Sequence, residues 1–453
     1  MFGPPGASRT DDAAGWSPAG APVTVLARPG RLEVGGAIDQ DTVWPAAEVI
    51  VTDDVEVVAG ASLTIAAGAT VTFDGFHGLR VLDGDLQAIG TPAAPITFTA
   101  ADRDRWRPDL GRDGAWNGLA FVNVPAMRDS SRLRWCVIEH AKALPGDDWL
   151  VPAGPGGVLV DGAGGAVRVV GRSPLEISHG ILRRNLAERG GAMAIHHGAR
   201  PLLAGNLLHD NHATLRASAI WISYADAVVA HSTVTANEVA APSPAIETGA
   251  IDHVFARPWH LGNVVWGNAT SHYWSLQIRE PKAVNTRYCD VENWLGGQGC
   301  LSADPLLDPF EPGTGSPVID AAAATPWLGA IDLAGRPRVV GSAPDMGAFE
   351  APAATSSPGP VTGAPRLRAW PNPANPRVTL AFTMARAGQV ELSVYDPAGR
   401  RVRTLVSGYL TAGEHRRRWD GCDRDGRPVA AGTYVVRATT PTGTTVTRLT
   451  IVR

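Results

Sequence analysis

The sequence is poor in lysine, aromatic residues and cysteine. Neither its basic residues nor its cysteines form the pattern of a nucleic-acid, membrane or zinc site. Lys142 and Lys282 are the only lysines among 453 residues, and no basic block suggests binding to nucleic acid or an anionic membrane. The four cysteines show neither a CxxC pair nor a Cys/His ligand spacing, so we predict no structural zinc site. We also predict no other metal and no cofactor. No apolar run is long enough to span a bilayer. The N-terminus, MFGPPGASRTDDAAGW, lacks the charged start and apolar run of a signal peptide.

Glycine and proline are plentiful, with 51 and 36 residues, which favours short strands and turns over long helices. The stretch VEVVAGASLTIAAGATVTF at 55–73 shows the pattern. Leu63 and Ile65 alternate with small or polar residues, and Gly60 and Gly68 mark the breaks. Strands this short need neighbours on both sides, so we expect them to belong to a larger stack.

A short apolar stretch followed by asparagine recurs through the middle of the chain. The asparagines are Asn185, Asn211, Asn237 and Asn268, at intervals of 26, 26 and 31 residues, and the residue three positions before each is Leu or Val. One such unit per repeat indicates a solenoid, and the absence of a helical period leaves a parallel β-helix with coils about 4.8 Å apart. We predict a structural asparagine ladder that satisfies backbone groups at bends, where asparagine tolerates the left-handed conformation. A ligand-binding row is the alternative.

Two cysteine patterns accompany the repeat. The stretches WCVIEH at 135–140 and YCDVEN at 288–293 align with their cysteines in register, which predicts one column several coils apart. Cys289 and Cys300 are close in sequence. They could bridge a loop or remain small buried thiols, and both interpretations stay open.

Residues 32–350 are predicted to form the β-helix, after a poorly ordered segment at 1–31. The stretches AIDQDTVWPAAEVIVTDDVEVVAGASLTIAAGATVTFDG, LQAIGTPAAPITFTA and WNGLAFVN resemble the start of right-handed parallel β-helix proteins exported by bacteria. The segments YCDVENWLGGQGCLSADPLLDP, GSPVIDAA and GRPRVVGSAPDMGAFE resemble the closing part of that group, where the tail often precedes an anchoring or sorting module.

A linker rich in Pro, Gly, Ser and Ala at 351–366 precedes a second domain at 367–453, where six to seven short strands predict an immunoglobulin-like sandwich. The stretches WPNPANP, VYDPAGRRVRTL, LTAGEHRRRWDGCDRDGRPVAAGTYVVRA and RLTIVR resemble the Ig-like domain of flagellar hook-capping proteins and, equally, the C-terminal sorting domain of the type IX secretion system. The second resemblance implies that the outer-membrane secretion machinery is a partner and that the protein is extracellular or on the cell surface. The predicted fold class is therefore all-β, a right-handed parallel β-helix followed by a small Ig-like β-sandwich.

Catalytic signals are weak, and no catalytic residue is predicted. Asp147 and Asp148 resemble the aspartate pair of pectin hydrolases, but the other motifs of that family are missing, and a solvated turn explains them as well. The spaced Asp pattern of a calcium site is missing too.

Histidine is concentrated in the repeat region, with nine of the twelve between residues 179 and 272. Stacking the coils places some of these side chains in columns with charged residues, and five residues become candidate ligand-binding groups: His179, Arg183, His209, Asp210 and His231. Exposed aromatic residues that could stack on sugar rings, or instead cap the core, are Trp221, Tyr224, Trp259, Trp266, Tyr273 and Trp274. Scattered surface histidine is the alternative interpretation.

Two functions follow from these observations. The first is a non-catalytic exported or surface protein that binds a polysaccharide or another protein along its coil face. The second is a polysaccharide lyase or glycoside hydrolase acting on a groove of the β-helix. Carboxylates within about 10 Å of each other beside an Arg or His would favour the enzyme.

Overall fold

The computed structural model is built almost entirely of β-strands, which confirms the predicted all-β class. The residues that it describes are 26–28, 31–45, 48–124, 130–146, 162–239, 249–269, 277–279, 285–294, 296–352, 367–384, 388–410, 413–424 and 426–452. Within these ranges the only helical element is a 3-10 turn at Arg103–Arg105. No helix in the described part of the chain is long and apolar enough to cross a membrane.

The chain divides into two compact units. The first comprises Met1–Ala303, Ala322–Arg338 and Asp345–Phe349, and the second comprises Asp304–Ala321, Val339–Pro344 and Glu350–Arg453. The predicted domain limits at 32–350, 351–366 and 367–453 stay predictions. Residues 1–25, and 353–366 of the predicted linker, lie outside the described residues.

The first unit is a parallel β-helix whose strands stack in register on three long faces and one short one. Face 1 contains Leu79–Val81, Leu119–Val122, Val167–Val170, Met193–His196, Ile220–Ser223, Ile251–Val254 and Ile278–Arg279. Face 2 contains Thr42–Trp44, Ala61–Ile65, Gly84–Ile89, Ser131–Arg134, Leu175–Ser178, Leu202–Ala204, Val228–Ala230, Trp259–Leu261 and Asn285–Arg287. Face 3 contains Thr70–Phe73, Ile96–Ala100, Cys136–Glu139, Ile181–Arg183, Leu207–His209, Thr233–Thr235, Val264–Trp266 and Asp290–Val291.

The remaining strands of this unit complete the coils. The short fourth sheet contains Lys142–Ala143, Leu186–Arg189, His212–Arg216 and Glu238–Val239. The first two long strands, Arg31–Ile38 and Glu48–Val57, join faces 1 and 3, because Glu48–Val57 pairs with Thr70–Phe73 and also with Leu79–Val81. The short strand Leu26–Arg28 pairs antiparallel with Arg31–Ile38.

The apolar positions of the repeat point into the coil. Leu182, Leu208, Val234 and Val265 are register partners on face 3, and each is 3% exposed or less. They belong to one continuous core that runs through the stacked coils. Burying one such side chain contributes about 1.5–3 kcal/mol, so each added coil extends the core that stabilises its neighbours.

The corners of the coils are made by single residues with positive φ. Between face 3 and the fourth sheet these are His140, Arg184, Asp210, Ala236 and Gly267, with φ between 53° and 68°. Each left-handed residue stands directly before the position of the recurring asparagine. The expectation that the asparagine itself takes the left-handed conformation is therefore wrong, because its amide is needed inside the bend.

The four recurring asparagines form one ladder of hydrogen bonds. Asn185 Nδ2 donates to Asn211 Oδ1 at 3.0 Å, Asn211 Nδ2 to Asn237 Oδ1 at 2.8 Å, and Asn237 Nδ2 to Asn268 Oδ1 at 2.8 Å. The same oxygens accept the backbone N–H of the preceding asparagine in the ladder, at 3.0–3.2 Å. All four side chains are buried, so these bonds satisfy groups that water cannot reach.

A second polar ladder follows the corner between faces 2 and 3. Gly180 N donates to Asn206 Oδ1, Asn206 N to Ser232 Oγ, Ser232 N to Asn263 Oδ1, and Asn263 N to Cys289 Sγ. The register of face 3 places Cys136 in the same column, five coils from Cys289. A mixed column of Asn, Ser and Cys therefore serves the same purpose as the asparagine ladder.

The second unit contains seven strands, which pair antiparallel except for the parallel contact between Leu367–Asn375 and Gly443–Ile451. Its strands are Leu367–Asn375, Arg377–Met384, Gly388–Tyr395, Arg401–Leu410, Gly413–Trp419, Gly432–Thr440 and Gly443–Ile451. Leu367–Asn375 pairs with Arg377–Met384 near its start and with Gly443–Ile451 near its end, and so links the two layers. Leu380, Phe382 and Trp419 from one layer share a core with Leu392 and Val436 from the other.

A closing segment accompanies the sandwich within this second unit. Residues 304–321 contain the short hairpin Leu307–Asp308 and Glu311–Pro312. Arg417 Nη1 contacts Asp304 Oδ2 at 2.6 Å, and Arg416 Nη2 contacts Asp308 Oδ2 at 3.1 Å. These ion pairs hold the segment against the strand Gly413–Trp419.

Candidate functional site

Two of the candidate histidines lie beneath a covering piece of chain. His179 Nε2 is 2.9 Å from the carbonyl oxygen of Ile331, and His231 Nε2 is 2.9 Å from Thr325 Oγ1. Ile331 and Thr325 both lie in residues 322–338. These residues and 345–349 are called the return segment, and they pack against the corner between faces 2 and 3. Gly347 N also donates to Gly262 O at 2.7 Å.

Burial determines the charge of these two imidazoles. It lowers the pKa of His231 to about 3, and it also lowers the pKa of His179. His179 is additionally stacked on Trp135, with ring centroids 4.4 Å apart. Both side chains are therefore neutral parts of the packing under the return segment, where they contact protein groups and do not form a binding site.

The other three candidates meet at the corner between face 3 and the fourth sheet, here called the polar edge. Arg183 Nε donates to Glu139 Oε2 at 2.7 Å, and His209 Nδ1 is 2.8 Å from Asp210 Oδ2. The hydrogen bond from His209 is the main cause of a lowered pKa at Asp210. Asp210 is thus held as a carboxylate and is not a proton donor near neutral pH.

Sequence reasoning missed several members of the polar edge. Glu139 is 5% exposed, and its Oε1 lies 3.6 Å from His140 Nδ1. Thr99 Oγ1 is 3.1 Å from the same nitrogen. Burial lowers the pKa of His140 against the opposing effect of Glu139. The preceding loop adds Trp106, whose ring lies 6.0 Å from His140 and 5.8 Å from His212.

The polar edge is therefore an ionic network that joins neighbouring coils. The charged groups face each other at contact distance, which stabilises buried charge but leaves few of them available to a ligand. Arg183 remains 37% exposed in its side chain and Asp210 50%. The sequence signal for Glu139 was its alignment in the column of Arg183 and His209.

A different surface gathers exposed aromatic side chains at the corner between faces 1 and 2. Phe255 is 73% exposed, Tyr224 39% and Trp259 37%. Tyr224 and Phe255 stack on each other, with ring centroids 5.0 Å apart. The φ angles of these two residues are 48° and 51°, a left-handed conformation that bulky residues rarely adopt. The same corner is left-handed in the preceding coils, at Asn123, Gly171 and His197, so the bend itself requires this conformation. In the next two coils the strained corner position carries an aromatic ring at the surface.

Charged residues border these rings. Arg200, Asp226 and Arg257 follow the corner positions of three successive coils, and with Trp259 they line a shallow depression of about 290 Å³. Asp226 Oδ2 is 3.7 Å from Arg200 Nη2, and Asp226 Oδ1 accepts the backbone N–H of Arg257 at 3.1 Å.

The guanidinium of Arg287 lies 5.5 Å from the centre of the Trp259 ring. Three guanidinium groups therefore accompany one carboxylate, which gives the surface a net positive charge. We call this set, Arg200, Tyr224, Asp226, Phe255, Arg257, Trp259 and Arg287, the aromatic corner.

A sequence signal for the aromatic corner lies outside the asparagine repeat. The tripeptide Ala-Arg-Pro occurs at 199–201 and at 256–258, separated by the same interval as Asn211 and Asn268. Of the aromatic candidates from the sequence, Tyr224 and Trp259 belong to the corner. Trp221 is 4% exposed and packs against His196. Asp147, Asp148, Tyr273 and Trp274 lie outside the described residues.

Comparison with protein families supports the Ig-like interpretation of the second unit. A family described as "FlgD Ig-like domain" matches residues 375–444. Comparison with curated proteins gave no significant match.

Among solved structures, the chain is similar to dimeric latent PorU from Porphyromonas gingivalis, with 20% identity and a TM-score of 0.18, covering 20% of this chain and 9% of that one. It is also similar to PorZ, described as an essential surface component of the type-IX secretion system of that bacterium. That match has 21% identity and a TM-score of 0.15, and covers 19% of this chain and 11% of the other. The aligned part is thus about a tenth of either solved chain.

Proposed function

We propose that this is an exported, surface-associated protein that binds acidic polysaccharide through the aromatic corner of its β-helix. The observation that carries the proposal is the exposure of Phe255, Tyr224 and Trp259 on one corner, two of them in strained conformations. Exposed rings offer flat apolar faces to sugar rings, and a soluble protein seldom clusters them without a ligand.

The charges of the corner select the class of polysaccharide. Arg200 and Arg257 line the depression together with Trp259, and Arg287 lies against the Trp259 ring. Asp226 is the one carboxylate among the residues that define the corner. Guanidinium groups pair with carboxylates in a planar, bidentate way. A polymer of uronic acids presents such a carboxylate on every ring, and its repeat can follow coils spaced about 4.8 Å apart.

Binding is favoured over cleavage by the same residues. Hydrolysis of a glycoside generally requires two carboxyl groups, one of them a proton donor. Asp226 is held by Arg200 and by the backbone of Arg257, and the corner supplies no second carboxylate among the residues described. The polar edge contains Glu139 and Asp210, but these are paired with Arg183 and His209.

Delivery to the surface is proposed to depend on residues 367–453. The match of 375–444 to an Ig-like domain, placed after a β-helix, supports a sorting or anchoring role with the outer-membrane secretion machinery as partner. Fractionation of the producing cell and N-terminal sequencing of the mature protein test this part. Recovery of the protein from the cytoplasm alone would overturn it.

Binding is tested by electrophoresis of the full chain through gels that contain polygalacturonate, alginate, xylan or no polysaccharide. We expect the two acidic polymers to retard the protein, xylan to have little effect, and salt to weaken the retention. Phe255→Ala and Trp259→Ala should each lower the apparent affinity for the acidic polymers at least tenfold, which is measured as weaker retardation. Val43→Ala is the control, because Val43 is 67% exposed and lies on face 2 in an early coil.

Three results would contradict the proposal. One is equal migration in all four gels, and another is full retention by both aromatic variants. The third is release of new reducing ends from polygalacturonate, which would favour the hydrolase or lyase.

A further inference from the structure

The last coil of the β-helix brings two thiols together. Arg287 pairs with Gln298 and Asp290 with Leu301 in parallel bridges, and the backbone N–H of Leu301 donates to Cys289 O at 2.8 Å. The same register makes Cys300 the direct neighbour of Cys289. Neighbouring strands lie about 4.8 Å apart, which is within the range of about 4.4–6.8 Å that joins the Cα atoms of disulfide-bonded cysteines.

Glycines fix the loop in this position. Gly297 and Gly299 have φ of 93° and 68°, a conformation that favours glycine. A Cβ atom on Gly297 would lie 2.8 Å from Cys300 Sγ, and one on Gly299 would lie 2.4 Å from the Tyr288 ring. A side chain at Gly297 would collide with Cys300 itself, and one at Gly299 with the Tyr288 ring, so glycine at both positions lets the loop lie against the coil.

The environment of the two sulfurs differs in a way that suits stepwise oxidation. Cys289 is buried and accepts a hydrogen bond from Asn263 N at 3.3 Å, whereas Cys300 is partly exposed. The contact with Cys289 is the main cause of a lowered pKa at Cys300, and burial raises the pKa of Cys289. An oxidant from solvent therefore meets the more reactive sulfur first.

We propose that Cys289 and Cys300, both free thiols in this structure, form a disulfide bond that locks the last coil after export into an oxidising compartment. The oxidant is a low-molecular-weight or protein disulfide. The Cys300 thiolate attacks one sulfur of that disulfide, whose S–S bond breaks and whose other half leaves as a thiol. Cys289 then attacks Cys300 in the mixed disulfide and displaces the second half. The two cysteines lose two protons and two electrons, and the oxidant gains them.

The chemistry is tested on the purified full chain with oxidised glutathione as the probe. After blocking of free thiols, the protein is unfolded and cleaved after glutamate, because Glu292 lies between the two cysteines. We expect the Cys289 and Cys300 fragments to migrate as one species that separates on reduction. Cys136, buried in the column of Cys289 five coils away, should stay a thiol and is the internal control.

Variants separate the proposal from unspecific oxidation. Cys289→Ser should leave Cys300 as a stable mixed disulfide with glutathione, and Cys300→Ser should leave Cys289 unmodified. Because Cys300 is partly exposed, its variant keeps the test valid even if Cys289→Ser does not fold. Fragments that stay separate after oxidation, or a lasting glutathione adduct on Cys300 of the unaltered protein, would overturn the proposal. Neither result bears on polysaccharide binding at the aromatic corner.

Discussion

Replacing Asn211 with alanine removes the central rung of the asparagine ladder. Its Oδ1 accepts both the backbone N–H of Asn185 at 3.2 Å and Asn185 Nδ2 at 3.0 Å. Its Nδ2 donates to Asn237 Oδ1 and to Leu182 O, both at 2.8 Å. The variant leaves the backbone N–H of Asn185 without this acceptor, and the carbonyl of Leu182 loses a donor. The side-chain amide of Asn185 keeps its bond to Ile138 O at 3.0 Å.

The magnitude follows from the burial of these groups. Asn211 and Asn185 are 0% exposed, so water does not replace the lost bonds without local opening. Each unsatisfied buried group costs about 1–3 kcal/mol. Allowing for partial relaxation, we expect Asn211→Ala to lower the local free energy of unfolding by about 3 kcal/mol, which corresponds to a roughly 100-fold change in the opening equilibrium.

Hydrogen exchange followed by mass spectrometry measures this opening coil by coil. Peptides that cover residues 180–190 should exchange roughly 100-fold faster in Asn211→Ala, whereas peptides from 55–73, several coils away, should change little. Combining Asn185→Ala with Asn211→Ala should cost less than the two single variants together, because they share one bond. Unchanged protection at 180–190 would refute the view that the ladder stabilises the bend.

Three further predictions concern pH and strain, all measured by denaturant unfolding of the full chain. Burial lowers the pKa of His196, His231 and His260 to about 3, so the unfolded chain binds protons first as pH falls below about 6.5. These three groups alone should lower the free energy of unfolding by up to about 4 kcal/mol per pH unit as pH falls below 6, and a flat profile would contradict neutral burial. Burial raises the pKa of Asp252 to about 6. The free-energy cost of ionising this carboxyl in the folded protein therefore grows as pH rises above about 3.8 and reaches its maximum above pH 6. Asp252→Asn should therefore stabilise the protein by roughly 1–3 kcal/mol at pH 7 and hardly at pH 4; an equal effect at both values would disprove this cause. Phe255→Gly should raise stability by up to ~1 kcal/mol, because glycine relieves the left-handed strain, while weakening retention on polygalacturonate. A loss of stability would show that the exposed ring is a packing element.

The repeat in the sequence was enough to predict the coils because stacking makes one position equivalent in every turn. Leu208 and Asn211 could be assigned to the core and to the bend, since burial and backbone hydrogen bonding act on each coil separately. The interval between Asn237 and Asn268 is longer than the other two, but the strands Thr233–Thr235 and Val264–Trp266 still pair in the same register. Local periodicity was therefore sufficient to predict the stacked-coil architecture.

The candidate site could be predicted from the sequence only in part. Alignment brought Arg183, His209 and Asp210 to one edge. The coil of Glu139 has Ala141 at the asparagine position, so the repeat did not include the residue that neutralises the guanidinium. It placed His179 and His231 in one column and gave no sign that the return segment covers them, because that segment is more than ninety residues further along the chain.

By itself, the sequence determined that the chain is all-β, that its coils repeat and which apolar positions face inward. These properties depend on the alternation and spacing of neighbouring residues. Only the tertiary structure decided which polar side chains reach solvent, because that depends on what distant segments cover. Phe255 stays exposed at its corner while His231, one coil away on another corner, is sealed under residues 322–338. Contacts between distant parts of a chain have no counterpart in its local pattern.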